Sequence, residues 1–183
     1  MVIPAGHARE RFYNIGVWPS AFFDGTPGPA VSEPDSFYSV YRDMVDAARS
    51  VQTSLEMSLD TLLTRVDSSA ISIGVHVTPT DSSVNQAGIL RLMAVVYEDS
   101  VPYEFLGETL YARTVARAMV GDSLGLPLAL RFGDEFDTML TLPLGNWRKD
   151  FLGCAVFVQD TLDKSVLQSV GKQRIPVIAG GKQ

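Results

Sequence analysis

From Leu55 onward the apolar residues of this chain recur at every second position. Leu55, Met57 and Leu59 alternate with Glu56, Ser58 and Asp60, and Ile71, Ile73, Val75 and Val77 alternate with Ser72, Gly74, His76 and Thr78. A period of two sends alternate side chains to opposite faces of a strand. The stretch is therefore hairpin material with one buried and one wetted face, turning near Asp67 to Ser69. Ile89 to Glu98 is almost continuously apolar and reads as a strand covered on much of both faces. Leu110 to Val120, Leu126 to Phe132, Phe136 to Leu144, Phe151 to Gln159 and Ser165 to Val170 continue the pattern, with turn residues between them. Within it, Gly153 to Asp160 and Lys164 to Gln168 form a strand, a short acidic turn and a return strand that close the block. About eight strands follow residue 54, and no helical interval among them is long enough for a parallel crossover. The expected architecture is an antiparallel β-sandwich of immunoglobulin-like type over residues 53–183.

The first 52 residues differ in kind. Ala8 to Asn14 reads as a helix end, with Asn14 and Gly16 as stop residues. Val17 to Gly25 is an extended segment led by Pro19, and Trp18 before it suits a cis peptide bond. Thr26 to Asp35 holds three prolines and reads as loop. Ser36 to Val51 places Phe37, Tyr41, Met44, Val45, Ala48 and Val51 on one helical face, with Arg42, Asp43, Asp46 and Arg49 off it. Such a helix packs on a sheet.

Charge narrows the partners. The net charge of -6 and the scatter of the fifteen Lys and Arg residues argue against nucleic acid, which needs clustered cations. No apolar run reaches the roughly 18 residues of a membrane helix, and a sandwich with polar faces is not a transmembrane barrel, so any membrane association is expected to be indirect. Met1 to Gly6 lacks the basic start and apolar run of a secretion signal. The single cysteine, Cys154, lies in an apolar strand and reads as a buried, inert thiol. His7 and His76 are the only histidines; His76 falls on the polar face of its strand with no second ligand near it in sequence. Glu98 to Glu104 lacks the ligand spacing of a calcium loop and reads as a solvated acidic loop. A Gly-x-Ser-x-Gly elbow and a Gly-x-x-x-x-Gly-Lys phosphate cradle are both missing. These features predict no catalytic residue, no metal and no cofactor.

Two resemblances sharpen the expectation. Arg11 to Gly25 (Arg-Phe-Tyr-Asn-Ile-Gly-Val-Trp-Pro-Ser-Ala-Phe-Phe-Asp-Gly) is similar to the second half of a thioredoxin-like fold, in which a helix and loop lead to a cis-proline, an apolar strand and a glycine turn. By that resemblance Pro19 takes the cis-proline position. The CxxC it would face does not occur in the sequence. Leu92 to Glu98, the strand with Arg117, Asn146 with Trp147, and Ala155 to Asp160 leading to Lys164 to Gln168 resemble the outer membrane protein 28-kDa-related family of bacterial surface proteins. The resemblance implies a partial thioredoxin-like segment over residues 1–52 followed by the sandwich, and an extracytoplasmic place in the periplasm or at the cell surface. It implies a non-catalytic envelope protein whose sandwich is an interaction module for a protein or peptide. Trp18 and Pro19, as a peptide-binding edge, and Trp147 are the candidate binding residues. A homodimer is expected, because the strand-turn-helix of residues 17–51 has an unpaired strand, would be marginal alone and must dock on the sandwich or on a second copy. The alternative is the C-terminal part of a thiol-disulfide protein whose CxxC half lies outside this chain.

Overall fold

The computed structural model describes residues 3–16, 20–29, 34–67, 69–120 and 124–178. Helix α1 (Pro4–Tyr13) ends where the sequence places the stop: Asn14 takes a left-handed φ of 54°, and its N–H bonds back to the carbonyls of Arg11 and Glu10. Strands β1 (Phe22–Phe23) and β2 (Thr26–Pro27) form a small hairpin. Its turn residues Asp24 and Gly25 both have positive φ, 45° and 85°, the geometry that matches strand twist. Thr26–Pro27 is thus strand rather than the expected loop. The Gly28 N–H points inward to the Ala21 carbonyl, so the neighbouring Pro27 nitrogen faces outward, where no ladder bond is lost.

Helix α2 (Pro34–Ser50) follows the expected helix closely. Tyr41 packs on Phe23 at 5.1 Å and on Phe37 at 5.6 Å between ring centres. Two members of the expected apolar face, Val45 and Val51, are exposed. The reason is the support: α2 lies on the two-residue strands of the first hairpin, too narrow to cover the whole stripe.

The remaining strands are β3 (Leu55–Val66), β4 (Ala70–Pro79), β5 (Leu90–Glu98), β6 (Val101–Phe105), β7 (Glu108–Ala112), β8 (Val115–Val120), β9 (Leu126–Pro127), β10 (Phe136–Pro143), β11 (Leu152–Asp160) and β12 (Val166–Lys172). One sheet has the order β10-β4-β3; the other runs β12-β11-β5-β8, with β9 also pairing β5. All these pairings are antiparallel. The inward faces meet as predicted: Ile71, Ile73, Val75 and Val77 on one side, Leu92, Ala94, Val96, Val156 and Val158 on the other. Cys154 lies in this core, and burial pushes its thiol up to about 11. It is the inert thiol the sequence suggested. At one seam Thr53 Oγ1 donates to the Leu167 carbonyl at 2.7 Å and Gln168 Nε2 to that of Leu55 at 3.2 Å, tying β12 to β3.

Three strand readings need correction. Leu110 to Val120 is two strands, because Thr114 at φ 49° breaks the run and sends β7 and β8 to different partners. Glu98 to Glu104 is no solvated loop: Glu98 is the buried end of β5, Ser100 turns the chain at φ 55°, and β6 follows. The ladder of the expected Leu126 to Phe132 strand ends after Leu128, whose N–H still donates to the Leu90 carbonyl, although Leu130 remains buried beyond it.

The front of the chain is clipped to the turn between β11 and β12. Gln159 is fully buried; its Nε2 donates to the Tyr13 hydroxyl at 2.8 Å and the Lys164 carbonyl at 2.7 Å. Its Oε1 accepts from Arg9 Nη2 at 2.7 Å. Asp160 holds the same turn by accepting the N–H groups of Gly88, Ile89 and Leu162. A methyl on Gly88 would meet the Asp160 carboxylate at 2.7 Å. Gly88→Ala should therefore loosen this turn and cost on the order of 1–3 kcal/mol, read as a lower urea midpoint.

Candidate functional site

Trp18 and Pro19 lie outside the described residues. Trp147 is half-buried against the core, and its ring closes on Gly145, where an added methyl would sit 2.5 Å from a ring carbon.

Three polar or exposed constellations stand out. The first is a groove of about 490 Å³ on the outer face of the β10-β4-β3 sheet. There β3 bulges between Asp60 and Arg65, and Leu63 folds over Gly74. His76 and Asp137 line the groove and, with Thr78 beside them, form a relay: His76 Nδ1 lies 2.7 Å from Asp137 Oδ1, and Thr78 Oγ1 lies 2.8 Å from His76 Nε2. Residues 76 and 78 share a face because they are two apart on a strand, and Asp137 is brought beside His76 by the β10 register. Hydroxyl, imidazole and carboxylate in this order can move a proton. At His76, however, β4 is paired on both sides, so the strand's own N–H groups there are spent in the ladders. Acyl transfer would need oxyanion donors from elsewhere. The hydrogen bond to Asp137 holds the imidazole above its usual 6.5. NMR titration should therefore give a His76 midpoint above 6.5, and Asp137→Asn should bring it down. Because the folded value is the raised one, the pair's contribution to stability is full below the unfolded value and fades as pH rises through the folded one.

The second is a charge cluster at the end of β5. Glu98 Oε1 accepts from Arg148 Nε at 2.6 Å, and Oε2 from Arg117 Nε at 2.9 Å. Arg148 also donates to the carbonyls of Asp99 and Ser100 and covers the Phe151 ring at 4.2 Å. Through Arg148 the cluster ties Glu98 to the foot of the adjoining hairpin, which is a structural use.

That hairpin, β6–β7, is the third. It pairs only with itself among the described residues. The register sets Val101 opposite Ala112, Tyr103 opposite Leu110 and Phe105 opposite Glu108, which share one face; Pro102, Glu104, Thr109 and Tyr111 take the other. The first face is mostly apolar, yet Tyr103, Phe105 and Leu110 are exposed. At the tip Leu106 is 90% exposed and takes a φ of 52°, followed by Gly107 at 83°. A two-residue turn of this kind favours Asn or Asp at the first position, and a leucine there is strained. The sequence carried the signal in the alternation of Val101, Tyr103 and Phe105. The acidic residues around them led to the loop reading instead.

Among the described residues no three His, Cys, Asp or Glu side chains converge as a metal site requires.

These elements define a β-rich protein: two packed antiparallel sheets with a small helix-and-hairpin front. No protein-family model matches the sequence, and no curated protein does. Among solved structures the chain is similar to HBP35 of Porphyromonas gingivalis, with a TM-score of 0.76 at 9% identity, covering 98% of this chain. It spans 60% of the length of HBP35, and at this identity the likeness concerns the fold alone. A domain of the outer membrane lipoprotein Omp28 from the same organism aligns over 69% of this chain and 92% of its own, with a TM-score of 0.46 and 14% identity.

Proposed function

We propose that this chain is a non-catalytic, extracytoplasmic module of a bacterial envelope protein, and that it engages a protein partner through the β6–β7 hairpin. The observation that carries the reading is the uncovered apolar face of that hairpin. Period-two alternation is how a strand prepares one face for burial, and Tyr103, Phe105 and Leu110 are left exposed on that face, with Leu106 exposed at the tip. Large exposed apolar patches mark interaction sites. The location rests on the resemblance of residues 90–168 to the 28-kDa outer-membrane protein family. The partner test is a photo-crosslinker at position 103, with a control at exposed Glu56. A defined protein adduct at 103 alone, lost in Leu106→Asp, is expected; equal labelling at both positions refutes the reading.

The His76 relay favours a second reading, a hydrolase. We expect ester, amide and phosphoester substrates to turn over no faster than in buffer. Turnover that disappears in both His76→Ala and Thr78→Ala would establish the hydrolase instead. A thiol-disulfide role would need cysteines beyond these 183 residues, since the one cysteine here is buried in the core.

A further inference from the structure

We infer that the partner of the β6–β7 hairpin is the same hairpin of a second copy, laid antiparallel across a two-fold axis so that each tip reaches the other's foot. The inference rests on the reading of this hairpin as an interaction surface and names its occupant.

Charge selects the arrangement. The tip half of the hairpin carries Glu104 and Glu108, with Glu108 on the apolar face beside Phe105. The foot carries Arg113 and Arg174, which line a cavity of about 280 Å³ together with Asp99, Tyr97 and Phe151. Arg113 is 75% exposed and keeps Asp99 at 2.6 Å through its Nε. With Asp99 balancing Arg113, Arg174 leaves this cavity net positive, so tip and foot offer opposite charge and matching aromatic surface. Antiparallel stacking brings acids to arginines twice, whereas parallel stacking would oppose Glu108 to Glu108. For a chain of net charge -6, self-association needs such local complementarity against the overall repulsion.

Geometry agrees. Strands of five residues are roughly 17 Å long, so two equal arms laid antiparallel bring each tip to the opposite foot. The contact is isologous and closes as a dimer. Two stacked faces with their tips and feet bury on the order of 1,000 Å², the low end for a specific interface, so the dimer is weak. Leu106 supplies the knob. It accepts a strained backbone and full exposure in the single chain, and both are explained when its side chain enters the Tyr97–Phe151 cavity of the other copy.

The test is sedimentation equilibrium of the full chain from about 10 to 500 μM, with melting temperatures alongside. Wild type is expected to pass from monomer to dimer in this range. Leu106→Asn relieves the turn and should melt at a higher temperature, while associating about tenfold more weakly or less. A merely structural residue would not separate these readouts. Glu108→Arg and Arg174→Glu should each weaken the dimer, and their combination should restore it. Wild type that stays monomeric at 500 μM, or a dimer indifferent to all four variants, overturns the inference. If the chain is monomeric but the probe at position 103 still labels a different protein, the hairpin remains a docking surface and only the second copy is discarded. Labelling of zwitterionic phosphatidylcholine vesicles by that probe, without protein adducts, overturns both. So does a monomer with no adduct at all.

Discussion

Glu98→Ala is expected to lower folding stability by about 3–5 kcal/mol, read as a large drop in urea midpoint at neutral pH with an unchanged slope. Glu98 is 3% exposed and stands between two guanidinium groups. Removing it takes a carboxylate away from the Arg117 side chain, itself 15% exposed, in a region of poor solvation. Glu98→Gln keeps the shape and loses the charge, and should fall between the two. The same site shapes the acid limb of stability. Burial alone would raise the Glu98 carboxyl, but the hydrogen bonds and charges of Arg148 and Arg117 outweigh it and hold the group below its usual 4.5. A carboxyl depressed on folding contributes stability above its unfolded value and loses it as pH falls through the folded one. Unfolding midpoints of wild type should therefore decline below about pH 4.5, and Glu98→Ala should flatten that decline. Equal midpoints for the two proteins at pH 7 would show that the cluster does not hold the end of β5.

Gly25→Ala is the second large effect. The turn between β1 and β2 needs a left-handed residue here, at φ 85°, and the backbone of the β11–β12 turn presses against it. An added methyl would lie 1.8 Å from the Lys164 carbonyl oxygen. Backbone has nowhere to yield, because Lys164 is itself fixed by Gln159. A cost of about 2–4 kcal/mol is expected from strain and clash together. Its signature is regional: hydrogen exchange should quicken in α1 and the β1–β2 hairpin while β4, β5 and β11 stay protected. Gln159→Leu, which removes the partner of Arg9 and Tyr13, should produce the same pattern. Unchanged exchange in α1 for both variants would mean that the front of the chain is held by something other than this clip.

The readings that succeeded depend on short-range rules. Alternation in Ile71 to Val77 needs only the geometry of one strand, and the Asn14 helix stop only the conformational preference of one residue. The failures share a cause. At Glu98 to Glu104 the sequence showed acids and a proline, and composition argued for a loop. What makes the segment strand is a distant Arg117 and Arg148 neutralising Glu98 from β8 and the loop before β11. Likewise no local rule announced that Thr114 would divide one alternating run between two sheets. Of the candidate residues, Trp147 was visible as an isolated aromatic, whereas the His76, Asp137 and Thr78 relay joins strands 61 positions apart and arises only from register.

The sequence by itself determined a mainly β chain with two antiparallel faces, an amphipathic helix ahead of them and a buried, unreactive cysteine. Each of these follows from periodicity or from the environment one strand creates for its own side chains. Tertiary structure alone decided which apolar faces found cover. The inner faces of the two sheets cover one another, and α2 is covered only as far as the small hairpin beneath it reaches. The β6–β7 ribbon keeps its apolar face open, because its strands turn away from both sheets at Ser100 and Thr114. Burial is a property of pairs of surfaces, and a sequence read strand by strand contains only one surface of each pair.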